Sequence, residues 1–183
     1  MNNASERAQM PPLAPTSHFM MGHPAHLMAL GFGSGLSPKA PGTAGTLWAW
    51  AMFTLLQDRL SAAQWGLLIA VSIVAGWWVC SVTARHLRVL DPGSIVWDEI
   101  AAFWLVLWLV TPCSVWEQLA AFALFRLFDA VKPGPVHWAD QLYHGVDPAT
   151  DALAWHKAGW GIMFDDLVAA FCTLLVLALW HAW

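Results

Sequence analysis

The chain has 183 residues, of which 58% are apolar and only 11% charged, where a soluble domain carries about a quarter charged. Its net charge is −4 and its eight Lys and Arg form no cluster able to neutralise phosphates along a duplex, so nucleic acid is excluded as a partner. Fourteen Trp, whose rings favour the headgroup level of a bilayer, add to a membrane setting for a compact bundle of a few spans.

Met1 to Gly22 is polar, contains Pro11, Pro12 and Pro15, and shows no periodicity, so a flexible tail is expected over residues 1–22. It lacks the compact apolar core of an export signal. Residues 23–183 are expected to form one membrane domain. Ala25 to Leu36 comes first, then a glycine-rich segment reaching Thr46, then apolar runs at about 46–57, 62–84, 98–111, 114–128 and 164–182. Several runs are shorter than the roughly 20 residues needed to cross a bilayer. The fold class expected is all-α: a compact multi-helix membrane bundle with short or partly spanning helices and motif loops at the interface. Cys80, Cys113 and Cys172 are scattered among the apolar stretches with neither metal spacing nor a disulfide framework, and read as free thiols.

Three acid-bearing segments lie against the edges of these runs: Asp98-Glu99, Asp129 and Asp165-Asp166. A carboxylate at the boundary of hydrocarbon loses hydration unless a cation replaces the water, so five of them in three such places point to a shared divalent metal. If each run crosses, two crossings separate the glycine-rich loop from Asp98, two more separate Asp98 from Asp129, and none separates Asp129 from Asp165. All the motifs then face one side. Arg7, Lys39, Arg85, Arg88, Arg126, Lys132 and Lys157 fall on that side and Arg59 alone on the other, which places the motifs in the cytoplasm.

Asp98-Glu99 follow Asp91-Pro92, a pair suited to a helix cap and first helical position. Arg126, Asp129 and Lys132 stand at i, i+3 and i+6 on one helical face. A structural ion-pair row and a metal-binding acid between two phosphate-binding cations fit that pattern equally. Pro133 and Pro135 then end the helix. Gly161 to Asp166 reads as a loop opening into the last helix, with Asp165-Asp166 in its first turn, where carboxylates favour the helix dipole. Adjacent like charges repel unless a cation intervenes, so capping alone does not explain the pair. The loop Gly31 to Thr46 offers backbone N–H groups, the hydroxyls of Ser34, Thr43 and Thr46, and the charge of Lys39. It could cradle an anion or merely fold back between helices. His137, His144 and His156 read as interfacial, as does the His23-x-x-His26 pair.

Together, Gly31-Phe32-Gly33-Ser34-Gly35-Leu36 with Pro41-Gly42-Thr43-Ala44-Gly45-Thr46, Ser94-Ile95-Val96-Trp97-Asp98-Glu99, Phe125-Arg126…Asp129…Lys132-Pro133-Gly134-Pro135 and Gly161-Ile162-Met163-Phe164-Asp165-Asp166 resemble the phosphatidylglycerophosphatase A family, from about Pro24 to the C-terminus. Gly134 replaces a Trp usual in that family, and the link His144 to Gly159 is longer than its usual one. The resemblance implies a bacterial inner-membrane enzyme, its active site facing the cytoplasm, that hydrolyses the anionic phospholipid phosphatidylglycerophosphate. It also implies Mg²⁺ as cofactor, with Asp98, Glu99, Asp129, Asp165 and Asp166 as metal-centre residues. Asp98, Asp129 and Asp165 would be catalytic, and Arg126, Lys132, Lys39, Ser34, Thr43 and Thr46 would bind phosphate.

Other phosphatase chemistries lack their residues here. Six positions after the three cysteines stand His86, Leu119 and Ala178 rather than Arg, and neither Asp-x-Asp nor Pro-Ser-Gly-His occurs. Two alternatives remain at this stage, a lipid phosphatase of different headgroup preference and a small cation-binding transporter.

Overall fold

The computed structural model describes residues 11–143 and 145–182. The expectations for residues 1–10 of the tail and for His144 lie outside the described residues. Eight helices and no strand occur among those described: α1 (Ser17–Met21), α2 (Pro24–Ala29), α3 (Pro41–Leu56), α4 (Ala62–Leu87), α5 (Trp97–Val110), α6 (Val115–Val131), α7 (Pro135–Gln141) and α8 (Ala154–His181). A 3₁₀ segment, Gly31–Leu36, joins α2 to α3.

Local chemistry sets most of these boundaries. Ser61 and Gln64 form a capping box at the start of α4, and Ser114 and Glu117 form another at α6; each box satisfies two backbone donors that the first turn leaves free. Pro41 and Pro135 open α3 and α7, where a missing N–H costs nothing. Arg88 and Lys132 end α4 and α6 in the left-handed region, at φ 61° and 48°. Asp91 does not cap α5, which begins at Trp97 behind Val96; the Asp91-Pro92 pair belongs instead to a turn closed by the Ile95 N–H donating to the Pro92 carbonyl.

The last helix corrects the expected loop at Gly161–Asp166. α8 begins at Ala154, so both acids sit well inside it rather than in its first turn. Gly159 and Gly161 read locally as helix breakers, yet Gly159 lets α8 cross α4 at close range. A Cβ there would lie 2.7 Å from the Ser81 nitrogen and 2.8 Å from the Trp77 carbonyl oxygen. Small residues at crossings are how helices approach when lipid supplies no hydrophobic drive. Backbone atoms cannot step aside, so Gly159→Val is expected to cost about 2–3 kcal/mol of stability by overpacking. An unchanged thermal midpoint in detergent would show that α4 and α8 do not meet there.

α5 is the buried axis of the bundle. Ile100, Ala101, Ala102, Phe103, Val106 and Leu107 are fully enclosed, and α3, α4, α6 and α8 pack around them. Its indoles are anchored as they enter the core: Trp97 Nε1 donates to the Ser72 carbonyl and Trp104 Nε1 to that of Ala49. Among the described residues, only α4 and α8, with 26 and 28 residues, are long and apolar enough to cross a membrane. At 1.5 Å per residue they reach about 39 and 42 Å, against roughly 30 Å of hydrocarbon. Their outward faces are apolar too: Leu67, Val71, Val74 and Trp78 on α4, and Phe171, Leu175 and Leu179 on α8, are exposed at helical spacing. Such a face suits lipid and not water.

Candidate active site

The acids that the sequence scatters over 69 positions meet at the junction of α5, α6 and α8. Asp98 and Glu99 occupy the first turn of α5, where the free N–H groups favour negative charge. Asp166 reaches them from inside α8. One carboxylate oxygen from each of Asp98, Glu99 and Asp166 lies within 4.8 Å of the other two. Asp98 Oδ1, Glu99 Oε2 and Asp166 Oδ2 are buried and accept no hydrogen bond. Three like charges this close repel, and three buried acceptors left unsatisfied are costly. Hard oxygen donors from three converging residues, each with one oxygen left unsatisfied, fit a divalent cation such as Mg²⁺.

One cation borders this trio and a second stands against Asp165. Arg126 Nη1 lies 2.6 Å from Asp129 Oδ2 and 3.6 Å from Glu99 Oε1, and donates to Thr46 Oγ1 at 3.5 Å. Lys132 leaves the helical face that its spacing suggested. As the left-handed cap of α6 it turns its ammonium to Asp165 at 2.6 Å and to Asp140. Burial opposes the charge on Lys132, but its hydrogen bonds with Asp140 and Asp165 outweigh that and hold its pKa above the usual lysine range. The five expected metal-centre acids therefore divide. Asp98, Glu99 and Asp166 converge with free oxygens, while Asp129 and Asp165 are each held by a cation.

The glycine-rich segment contributes through its second half. Thr43 and Thr46 lie in the first turns of α3 rather than in a loop. A Cβ on Gly42 would press on the Glu99 carboxylate and come within 3.0 Å of Arg126 Nη1, so its lack of side chain lets α3 close over the ion pair. Ser34 stays within its own turn, donating to the Gly31 carbonyl at 2.8 Å, and Lys39 is exposed. Neither is brought against the acids.

Sequence reasoning missed Asp140. It holds Lys132 from α7, and a signal for it existed: it is the sole acid between Asp129 and Asp147. A cavity of about 120 Å³ opens beside Asp165, between Asp91, Asp140 and Tyr143. The histidines stand apart. His137 and His156 are exposed, while His26 and His86 pair with each other, Nε2 to Nδ1 at 2.7 Å, against α4.

These features define a compact helical membrane protein whose carboxylates and cations meet as phosphoryl chemistry requires. The family model described as phosphatidylglycerophosphatase A matches residues 27–181, and the chain belongs to that family, which makes it a phosphatase acting on a phosphate monoester. It is 39% identical over 172 residues to the phosphatidylglycerophosphatase A of Escherichia coli (strain K12), covering 91% of this chain and 90% of that one. It is 36% identical over 161 residues to the protein of the same name from Haemophilus influenzae, covering 88% and 91%. A relative from Bacteroides thetaiotaomicron, provisionally named a phosphatidylinositol-3-phosphatase, is 35% identical over 83% of this chain and 90% of its own. No solved structure matches the chain.

Proposed function

We propose that this chain hydrolyses phosphatidylglycerophosphate to phosphatidylglycerol and inorganic phosphate, at the cytoplasmic face of a bacterial inner membrane. The observation that carries the reading is the trio of unpartnered oxygens on Asp98, Glu99 and Asp166, with Arg126 against Glu99 and Lys132 against Asp165, the chain neighbour of Asp166. The family and two of its named relatives supply the substrate. Sidedness follows from charge: α4 starts just after Arg59 and ends on Arg85 and Arg88, and basic residues favour the cytoplasm.

Asp98, Glu99 and Asp166 would hold Mg²⁺, which when bound supplies Lewis-acid polarisation of the phosphoryl group and a more acidic water. Arg126 offers a planar fork and Lys132 a point charge to the phosphate oxygens. Asp129 holds the fork in place. Asp165 gives up its Lys132 contact as phosphate takes it over; its freed carboxylate accepts the proton of the water attacking phosphorus and returns it to the glycerol oxygen as the P–O bond to that oxygen breaks. Thr43 and Thr46 line the approach from α3. The substrate stays anchored to the membrane by its acyl chains.

A second reading, a lipid phosphatase with another headgroup preference, is favoured by the name of the Bacteroides relative. Purified protein in mixed micelles would be given phosphatidylglycerophosphate, phosphatidic acid and phosphatidylinositol 3-phosphate. Release from the first is expected to exceed the others at least about tenfold, to stop with chelator and to return with Mg²⁺. Faster release from another lipid would favour the second reading, and chelator-insensitive turnover would remove the metal.

A further inference from the structure

The long link before α8, which the chemistry above leaves unused, builds one wall of a second hollow. A groove of about 640 Å³ is lined by Trp77 of α4, Tyr143, and Leu153, His156, Lys157 and Trp160 at the start of α8. That volume falls within the roughly 300–1,000 Å³ of small-ligand sites. Its lining is aromatic and aliphatic at one end and charged at the other. Trp77 Nε1 donates to the His156 carbonyl at 2.9 Å, which fixes the groove floor to α4. Lys157, one turn nearer the helix start than Trp160, pairs with Asp151 at 2.6 Å and keeps its remaining donors.

Two observations tie this groove to the acid site. Tyr143 lines both the groove and the cavity beside Asp165. It stands over Gly161, where a Cβ would be 3.2 Å from its ring. Leu153, His156, Lys157 and Trp160 share one face of α8 by their spacing, and Ala158, Gly161, Ile162 and Asp165 share another. One helix thus carries the apolar groove and the acid cavity side by side, with a single aromatic wall between them. Both helices that form the groove are the ones long enough to cross a membrane, and Leu153 and Trp160 are exposed on them. Indoles beside a Lys at a helix end mark the headgroup level.

We infer that this groove seats the lipid portion of the substrate. The first segment of an acyl chain lies along Trp77, Leu153 and Trp160, and Lys157 meets the phosphodiester at the groove mouth. The terminal phosphomonoester passes Tyr143 into the cavity beside Asp165. The inference rests on the lipid-phosphatase reading and goes further by locating where the chain distinguishes a lipid from a soluble phosphate ester.

The test compares dioleoyl phosphatidylglycerophosphate in mixed micelles with its deacylated, water-soluble analogue, using the full chain. Leu153→Trp fills the groove and Trp160→Ala strips its wall. In each variant the ratio of kcat/KM on the acylated to the deacylated substrate is expected to fall about tenfold, chiefly through KM on the acylated one. A parallel fall on both substrates, or no fall on either, would overturn the assignment. A second measurement does not need turnover: phosphatidylglycerol carrying a photoreactive acyl chain, in vesicles, should label Trp77, Leu153 or Trp160, less so in Leu153→Trp. Labelling spread evenly over the outward faces of α4 and α8 would count against the groove. If the groove is labelled but the wild-type chain releases no phosphate from phosphatidylglycerophosphate, the proposed function fails and the lipid seat stands.

Discussion

Asp166→Asn is expected to lower phosphate release from phosphatidylglycerophosphate about 10³-fold while leaving the fold intact, since removing one well-placed charge-stabilising group from a site costs about that much. Asp166 is 2% exposed, and one of its oxygens has no hydrogen-bond partner. The amide keeps the shape of the carboxylate and removes its charge. Without a bound cation, that substitution relieves repulsion from Asp98 and Glu99, so the thermal midpoint in chelator should hold or rise. With Mg²⁺ the order reverses, because only the wild-type chain gains stability from a ligand that binds its native state. A structural acid would behave otherwise: its loss would lower the midpoint in both conditions. Activity and stability moving in opposite directions is the signature of a group kept for chemistry at some expense in stability.

Arg126→Lys should lower kcat/KM about 10²-fold, the loss associated with misplacing a reacting group by about an ångström. A charge would remain, so a change confined to charge would leave activity nearly whole. The geometry argues against that. Nη1 alone touches Asp129, Glu99 and Thr46, which come from α6, α5 and α3, and a lysine ammonium occupied by those contacts lacks the further guanidinium nitrogens that remain to face a phosphate. Phosphate release and circular dichroism measured together separate the cases. Retained turnover would reduce Arg126 to a helix-end cation reaching for the interface. Lost turnover with lost helicity would make it a structural clasp.

The sequence carried the helical bundle and the identity of the acids because each depends on neighbours within a few residues. The stop imposed by Pro133 and Pro135 is readable for that reason, whereas the helix cap expected at Asp91 was misplaced and the capping boxes of Ser61 with Gln64 and Ser114 with Glu117 went unread. The start of α8 was not readable. Gly159 and Gly161 lower helix propensity locally, and only the crossing with Ser81 and Trp77 explains why the helix runs through them. Gly42 belongs with them, since its role depends on Glu99 and Arg126 from other helices. The five acids were visible as one set, but their division was not. Which oxygens stay unpartnered depends on Arg126 turning to Asp129 and on Lys132 turning, through its left-handed cap, to Asp165 and Asp140. Ser34 illustrates the converse: its hydroxyl looked available beside Gly33 and Gly35, yet the 3₁₀ turn uses it internally.

The central claim is that Asp98, Glu99 and Asp166 form a divalent-cation site. Titrating the purified chain with Mn²⁺ as a stand-in for Mg²⁺, read by loss of the free-ion paramagnetic resonance signal, tests it without reference to turnover. Saturable binding that Mg²⁺ displaces and that Asp166→Asn abolishes is the predicted result; no binding by the wild-type chain, or binding that Asp166→Asn leaves unchanged, would contradict it.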